Sequence, residues 1–348
     1  MRKSIHAAVY TAAAVLGIAA GTSAMAQNQP ARSPTLDKVQ KAGALSCGVN
    51  PGLAGFSMPD DKGLWLGIDV DLCRAVAAAI FNDPAKVKFV PLTAKDRFTA
   101  LQTGEIDVLS RNGTWTMQRE AELGLLFTAT NYYDGQGFMV RKKLNVTSAL
   151  ELSQASICVQ QGTTTELNLA DFFRANNMKY EVIAFATSNE AVKAYDSGRC
   201  DAFTTDASGL FAERVKLANA NDHVVLPEII SKEPLGPAVR QGDDVWFNIV
   251  KWAHFAMVNA EELLVTRANV DEAAKSARPD VRRMLGVENE FGKFLGLSND
   301  WAYRIVKHVG NYGESFERNV GSNSRLRIDR GVNKLWNKGG IMYAPPIR

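Results

Sequence analysis

After a polar stretch over residues 27–34, short apolar runs alternate with stretches whose apolar residues recur three and four positions apart. Residues 44–49 read as a strand, 68–81 as a helix, 87–91 as a strand, 97–103 as a helix stopped by Gly104, and 106–110 as a strand. The order returns further on: a strand over 156–160, a helix over 163–175, a strand over 180–185, a helix over 191–196 stopped by Gly198, and a strand over 200–204. Such alternation predicts mainly parallel sheets covered on both faces by helices. An extended piece at 137–140 separates the two blocks. An apolar stretch at 224–230 and a return crossing at 234–240 follow the second. From Asp243 onward the pattern is mostly helical. Trp246, Ile249, Trp252, Ala253 and Ala256 recur there at helical spacing and mark a core-facing stripe. The basic tail from Arg325 to Arg348 reads as a solvated helix face and its end.

The two blocks share a short duplication. Residues 102–112 (QTGEIDVLSRN) and 196–206 (DSGRCDAFTTD) each end a helix at Gly, place an Asp three residues later, and set a polar residue, Asn112 or Asp206, five beyond it. Open parallel sheets bind ligands outside the carboxyl ends of their strands, where both polar residues fall. Two similar lobes joined by extended crossings would bring those ends face to face.

Composition narrows the function classes. With 46% hydrophobic and 22% charged residues the chain is an ordinary globular protein, long enough for two domains. The first 26 residues read as an export signal: Arg2 and Lys3, an uncharged apolar run, then Ala24-Met25-Ala26 before a mature start near Gln27. The net charge of +3 falls almost to neutrality once Arg2 and Lys3 are removed, so nucleic-acid binding has no electrostatic support. Cys47, Cys73, Cys158 and Cys200 allow three pairings. Because two fall early and two in the middle, the favoured set is Cys47–Cys73 and Cys158–Cys200, one bridge per lobe. The four His are scattered and no CxxC occurs, so no metal site is expected. No GxSxG, HExxH, phosphate-binding or dinucleotide motif is present, so neither catalytic residues nor a cofactor is expected.

Three strand-end features could hold a ligand. The run 112–119 (NGTWTMQR) offers Asn112, Thr114 and the fork of Arg119, which suits a carboxylate. In 160–166 (QQGTTTE), Thr163 and Glu166 fit a capping box, so a helix N-terminus favouring an anion begins there. Asp206 could accept from an ammonium. A cation, a helix N-terminus and an anion together are what a zwitterion needs.

The runs GIDVDLCRAVAAAIF, NGTWTMQRE, QGTTTE and CDAFTTD resemble the polar amino-acid solute-binding proteins of ABC transporters, the general L-amino-acid-binding subgroup above all. The resemblance implies the type II periplasmic binding fold, an α/β architecture of two lobes, each a mainly parallel sheet flanked by helices, joined by two hinge strands. It implies one lobe over 35–137, a second over 138–232, and a return with a helical extension over 233–348, hinged near 138–141 and 234–239. Carried over by position, Arg119 is expected to clamp the ligand α-carboxylate, with Asn112 and Thr114 beside it and Thr164 donating through its backbone next to Thr163. Asp206 is expected to accept the α-ammonium, and Asn50 and Gln160 to line the side-chain pocket. Leu53 and a residue near Ala94 or Lys95 stand where relatives carry an aromatic pair, which implies a roomier, broadly specific pocket, with Trp65 or Trp115 as substitutes. The implied partners are free L-amino acids and an inner-membrane ABC permease with its ATPase, served by a periplasmic monomer. A dehydratase-like enzyme and a ligand-presenting sensor are the alternatives.

Overall fold

The computed structural model describes residues 32–348, and the export segment read over 1–26 lies outside them. The first part of the chain runs α1 (Pro34–Ala42), β1 (Leu45–Val49), the ribbon β2 (Met58–Pro59) and β3 (Trp65–Leu66), then α2 (Ile68–Phe81), β4 (Val87–Pro91) and α3 (Arg97–Thr103). It continues through β5 (Val108–Leu109), α4 (Met117–Leu123), β6 (Leu125–Phe127) and β7 (Tyr132–Asp134). The middle part holds β8 (Gln136–Arg141), β9 (Ser156–Gln160), α5 (Thr164–Ala175), β10 (Glu181–Phe185), α6 (Ser188–Asp196), β11 (Ala202–Asp206), α7 (Ala207–Arg214) and β12 (His223–Val225). The return comprises β13 (Glu233–Leu235), β14 (Ala238–Arg240), α8 (Asp244–Glu262), α9 (Val270–Ala273), α10 (Pro279–Met284), α11 (Trp301–His308) and α12 (Tyr312–Asn319).

Two five-stranded sheets define the two lobes, in the orders β4-β1-β5-β14-β6 and β10-β9-β11-β8-β12. In the first, β1 runs parallel to β4 and β5, and the returning β14 closes it antiparallel to β5 and β6. In the second, β9 runs parallel to β10 and β11, while β8 is antiparallel to β11 and β12. The crossings pair with each other as the ribbon β7–β13. Residues 138–141, read from sequence as a crossing, are instead inside the second sheet, because β8 must run full length to satisfy β11 and β12 on its two edges.

The duplication has a physical counterpart. Asp107 accepts the backbone N–H of Ser46 at 3.0 Å in one lobe, and Asp201 accepts that of Ser156 at 2.9 Å in the other. Each carboxylate serves the neighbouring parallel strand. Disulfides join Cys47 to Cys73, tying β1 to α2, and Cys158 to Cys200, tying β9 to the approach to β11.

Helix α2 is buried almost all round, from Ile68 through Ala79 with Arg74 as the half-buried exception. It packs on β1 and is covered by α8, α11 and α12, so its apolar character exceeds that of a one-sided surface helix. In α8, Trp246, Ile249, Ala253 and Ala256 are buried in the same core, and Trp252 packs half-buried against it. The tail departs from the solvated helix read in sequence. After α12 only 3₁₀ turns at Gly331–Asn333 and Trp336–Lys338 occur, while Leu326, Leu335, Met342 and Ala344 are buried. Glycines at 321, 331, 339 and 340 and prolines at 345 and 346 interrupt helix propagation. Arg330 is drawn inward to pair with Glu261 over the rings of Tyr312 and Phe316.

Candidate ligand-binding cleft

The loop after β5 is held from below. Asp69, in the first turn of α2 and 1% exposed, accepts the backbone N–H of Asn112 at 2.7 Å, the hydroxyl of Ser110 at 3.3 Å and the amide of Asn131 at 3.2 Å. This fixes Asn112 at φ 32°, and the Asn50 amide donates to its side-chain oxygen at 3.1 Å. Thr116 then caps α4 by accepting from the Arg119 N–H. Arg119 is buried. Its Nη1 donates to the Thr114 carbonyl at 2.7 Å, and its guanidinium lies 5.1 Å from the Phe98 ring centroid. One nitrogen therefore serves its own loop, and the other two have no hydrogen-bond partner among the described residues.

Across the junction, Thr163 caps α5 by accepting from the Glu166 N–H, while the Glu166 carboxylate accepts from Gly162 instead of closing the reciprocal half of a capping box. Thr164 opens the helix, and among the described residues no backbone acceptor meets its N–H. Gln160 gives its amide to the Ala186 carbonyl at 3.3 Å, at the outer side of β9. Asp206 stands at the end of β11 and formally precedes α7, yet its carboxylate makes no capping bond.

The lobes touch here. The hydroxyls of Thr114 and Thr164 are 3.2 Å apart, and Lys216 beyond α7 donates to the Gly52 carbonyl at 2.6 Å. The two lobes are therefore in direct contact. A cavity of about 500 Å³ opens between α4 and α5, walled by Phe98, Arg119, Thr163, Thr164 and Asn168 together with Gln118, Glu122 and Asp171, and Asp206, Arg97 and Arg111 do not line it. Leu53 and Ala94 are buried, Trp115 stacks on Phe127, and Trp65 leans on Phe89. The aromatic surface that meets the cationic side chains is Phe98.

Electrostatics set the site apart. Asp206 is 6% exposed, and no hydrogen bond reaches its carboxylate among the described residues. Burial first, then the nearby Asp134 and Glu233, push its carboxyl well above the usual range, while Arg97 and Arg119 pull it down. Asp134 is itself pushed up to about 6, chiefly by burial. Opposite stand three guanidiniums that repel one another. Burial, then Arg119, holds Arg97 well below its ordinary range. Burial brings Arg111 down to about 10 despite Asp69, and Arg119 is lowered by burial against Glu233 and Asp206. A guanidinium keeps its proton, so the unfavourable burial appears as a demand for an anion. Arg97 is the extreme case: 3% exposed, its Nε without a partner among the described residues, resting 4.7 Å from the Phe98 centroid. Among the described residues no ion pair joins these arginines to Asp206.

Asn112, Thr114 and Arg119 thus gather on the first-lobe side, with Asn50 bonded to Asn112. Thr163, Thr164 and Asp206 face them from the second, and Gln160 stands at the edge with its amide already used. Sequence reading passed over Arg97, Arg111, Asp134 and Glu233. Arg97 and Arg111 follow the carboxyl ends of β4 and β5, the position that could have marked them. Buried opposite charges on two lobes, held apart, can bridge a ligand that carries both signs.

Fold and cleft define a two-lobed solute-binding protein. The chain belongs to the bacterial extracellular solute-binding proteins, family 3, whose pattern matches residues 45–264. It is 59% identical over 337 residues to the general L-amino acid-binding periplasmic protein AapJ of Rhizobium johnstonii, spanning 96% of this chain and 99% of that one. It is 56% identical to the glutamate/glutamine/aspartate/asparagine-binding protein BztA of Rhodobacter capsulatus, covering 91% and 94%. Among solved structures, an ABC transporter periplasmic binding protein from Brucella ovis with glutathione bound superposes with a TM-score of 0.90 at 60% identity, covering 91% of this chain and all of that one. All three relatives are named as binding proteins, the Brucella one of an ABC transporter, which supports a solute-binding role and not the dehydratase-like or sensor alternatives.

Proposed function

We propose that the protein captures free L-amino acids in the periplasm, with preference for those carrying an acidic or amide side chain, and delivers them to an inner-membrane ABC permease and its ATPase. In this reading Arg119 and the Thr164 N–H receive the α-carboxylate, and Asp206 receives the α-ammonium. Asn112 and Thr114 shape the first-lobe wall, Asn50, Gln160 and Thr163 border the pocket, and Arg97 with Arg111 face the ligand side chain. The carrying observation is Asp206 buried opposite Arg119 with neither neutralised by the other. Three guanidiniums exceed what one α-carboxylate neutralises, which favours a second acceptor on the ligand. The names of two relatives agree in kind, since BztA is named for glutamate, glutamine, aspartate and asparagine, and the Brucella protein holds glutathione, which has a free amino-acid head group and a second carboxylate.

Cleavage near Gln27 would follow export, leaving a monomer with lobes over 35–137 plus 233–348 and over 138–232, hinged at the β7–β13 ribbon. Ligand contacts to both lobes would favour the closed form by their differential affinity for it. A thermal-shift screen of the twenty amino acids, followed by calorimetry, tests the reading. Glutamate, glutamine, aspartate and asparagine should raise the melting point most, and no shift with any amino acid would reject it.

A further inference from the structure

Glu233 lies on the crossing β13, opposite Asp134 of β7 and 1% exposed. One carboxylate oxygen accepts the hydroxyls of Thr114 at 2.6 Å and Thr164 at 2.9 Å. The other accepts the Asn168 amide at 2.6 Å and the Ser231 hydroxyl at 2.7 Å. These donors come from both sides of the junction. Thr114 is fixed to β13 itself: it bridges to Leu235, Trp115 N–H donates to the Pro234 carbonyl at 2.8 Å, and Gly236 N–H donates to the Gly113 carbonyl at 3.0 Å. Thr164 and Asn168 ride on α5 of the second lobe. Any opening that carries α5 away from β13 must strip two of the four donors from this carboxylate.

A carboxylate only accepts, so both threonine protons point at Glu233. The 3.2 Å approach of the two hydroxyls is then a consequence of sharing one acceptor, and neither hydroxyl has a proton left for a ligand carboxylate. What remains on that side is the Thr164 N–H.

We propose that Glu233 is a positioning residue for ligand capture: by gathering Thr164 and Asn168 onto the crossing strand it seats the N-terminus of α5 against the ligand and supplies a share of the closing free energy that is the same for every amino acid. The proposal rests on the amino-acid reading of the cleft, and it assigns Glu233 no contact with the ligand. Closing replaces water at the Glu233 carboxyl by aimed donors, and a buried acceptor left without them is costly.

The test measures Kd for L-glutamate and L-glutamine in the whole mature protein and in Glu233→Gln, together with stopped-flow dissociation rates. Both Kd values should rise about tenfold, through the dissociation rate, with their ratio unchanged. The ligand-free melting point should stay near that of the parent. Unchanged affinities would overturn the proposal, as would a shifted glutamate-to-glutamine ratio, which would make Glu233 a pocket residue. A ligand-free melting point that drops in step with the affinity would reduce it to a fold residue. Should Glu233→Gln not fold, Asn168→Ala removes one second-lobe donor at a half-buried position, and an equal loss of a few-fold for both ligands is expected; no loss overturns the proposal. If the parent binds neither amino acid, the reading of the cleft has failed, and that result is separate from parent binding with indifferent variants.

Discussion

Replacing Arg97 by Met should weaken glutamate binding and stabilise the empty protein at once. The side chain is 3% exposed, its Nε has no partner among the described residues, and it sits among two other guanidiniums above Phe98. Methionine keeps much of the stem and its contact with the ring while removing the charge. Exchanging a buried, uncompensated charge for an apolar side chain of similar volume typically gains on the order of 1 kcal/mol or more. For a protein of this size that is a rise of about 1–2 °C in the ligand-free melting point for each kcal/mol gained. With a γ-carboxylate bound, the same change removes a charge-assisted interaction of about 1.5–3 kcal/mol, or about 10- to 150-fold in Kd. For glutamine the partner is a neutral carbonyl and the loss should stay near about 1 kcal/mol. Differential scanning calorimetry of the empty variant and titration with both amino acids read the two effects. A lower melting point with glutamate affinity intact would show that Arg97 serves the fold and not the ligand.

Arg119→Ala should cost every amino-acid ligand at least ~2 kcal/mol by calorimetry, since it leaves the α-carboxylate unpaired. Asp206 is raised in the empty protein, first by burial, and an arriving ammonium favours its ionised form. Binding should therefore release protons and weaken as pH falls, with titrations in buffers of different ionisation enthalpy giving different heats and Asp206→Asn removing the difference. Burial holds His254 down at about 4, against 6.5 when unfolded. Its contribution is complete above pH 6.5 and is lost as pH falls toward 4, amounting to about 3 kcal/mol, which urea denaturation at stepped pH should show flattened in His254→Phe. Serine at both Cys158 and Cys200 opens a loop of 42 residues and should cost about 4 kcal/mol of unfolding free energy in the chain-entropy picture.

Local pattern settled a good deal. The alternation of strands and helices, the two Gly-stopped helices and the matched Asp107 and Asp201 belong to short stretches, and each carries its own signal of period, cap or turn. Arg119, Thr164 and Asp206 were marked in the same way, as a cation, a helix start and an anion at strand ends. Tertiary structure decided whatever depends on parts of the chain far apart. Arg97 is an ordinary helix-opening residue in sequence, and it becomes a charge without a partner only because Arg111, Arg119 and the second lobe surround it. Glu233 reads as a polar residue before a proline, and its four donors come from segments up to 119 residues away. The tail from Arg325 carries the charge of a solvated helix, yet Leu335 and Met342 find the core and Arg330 finds Glu261. Burial and Coulombic neighbours are properties of the assembled chain, so how strongly these charges call for a ligand of both signs is decided only once the two sheets face each other.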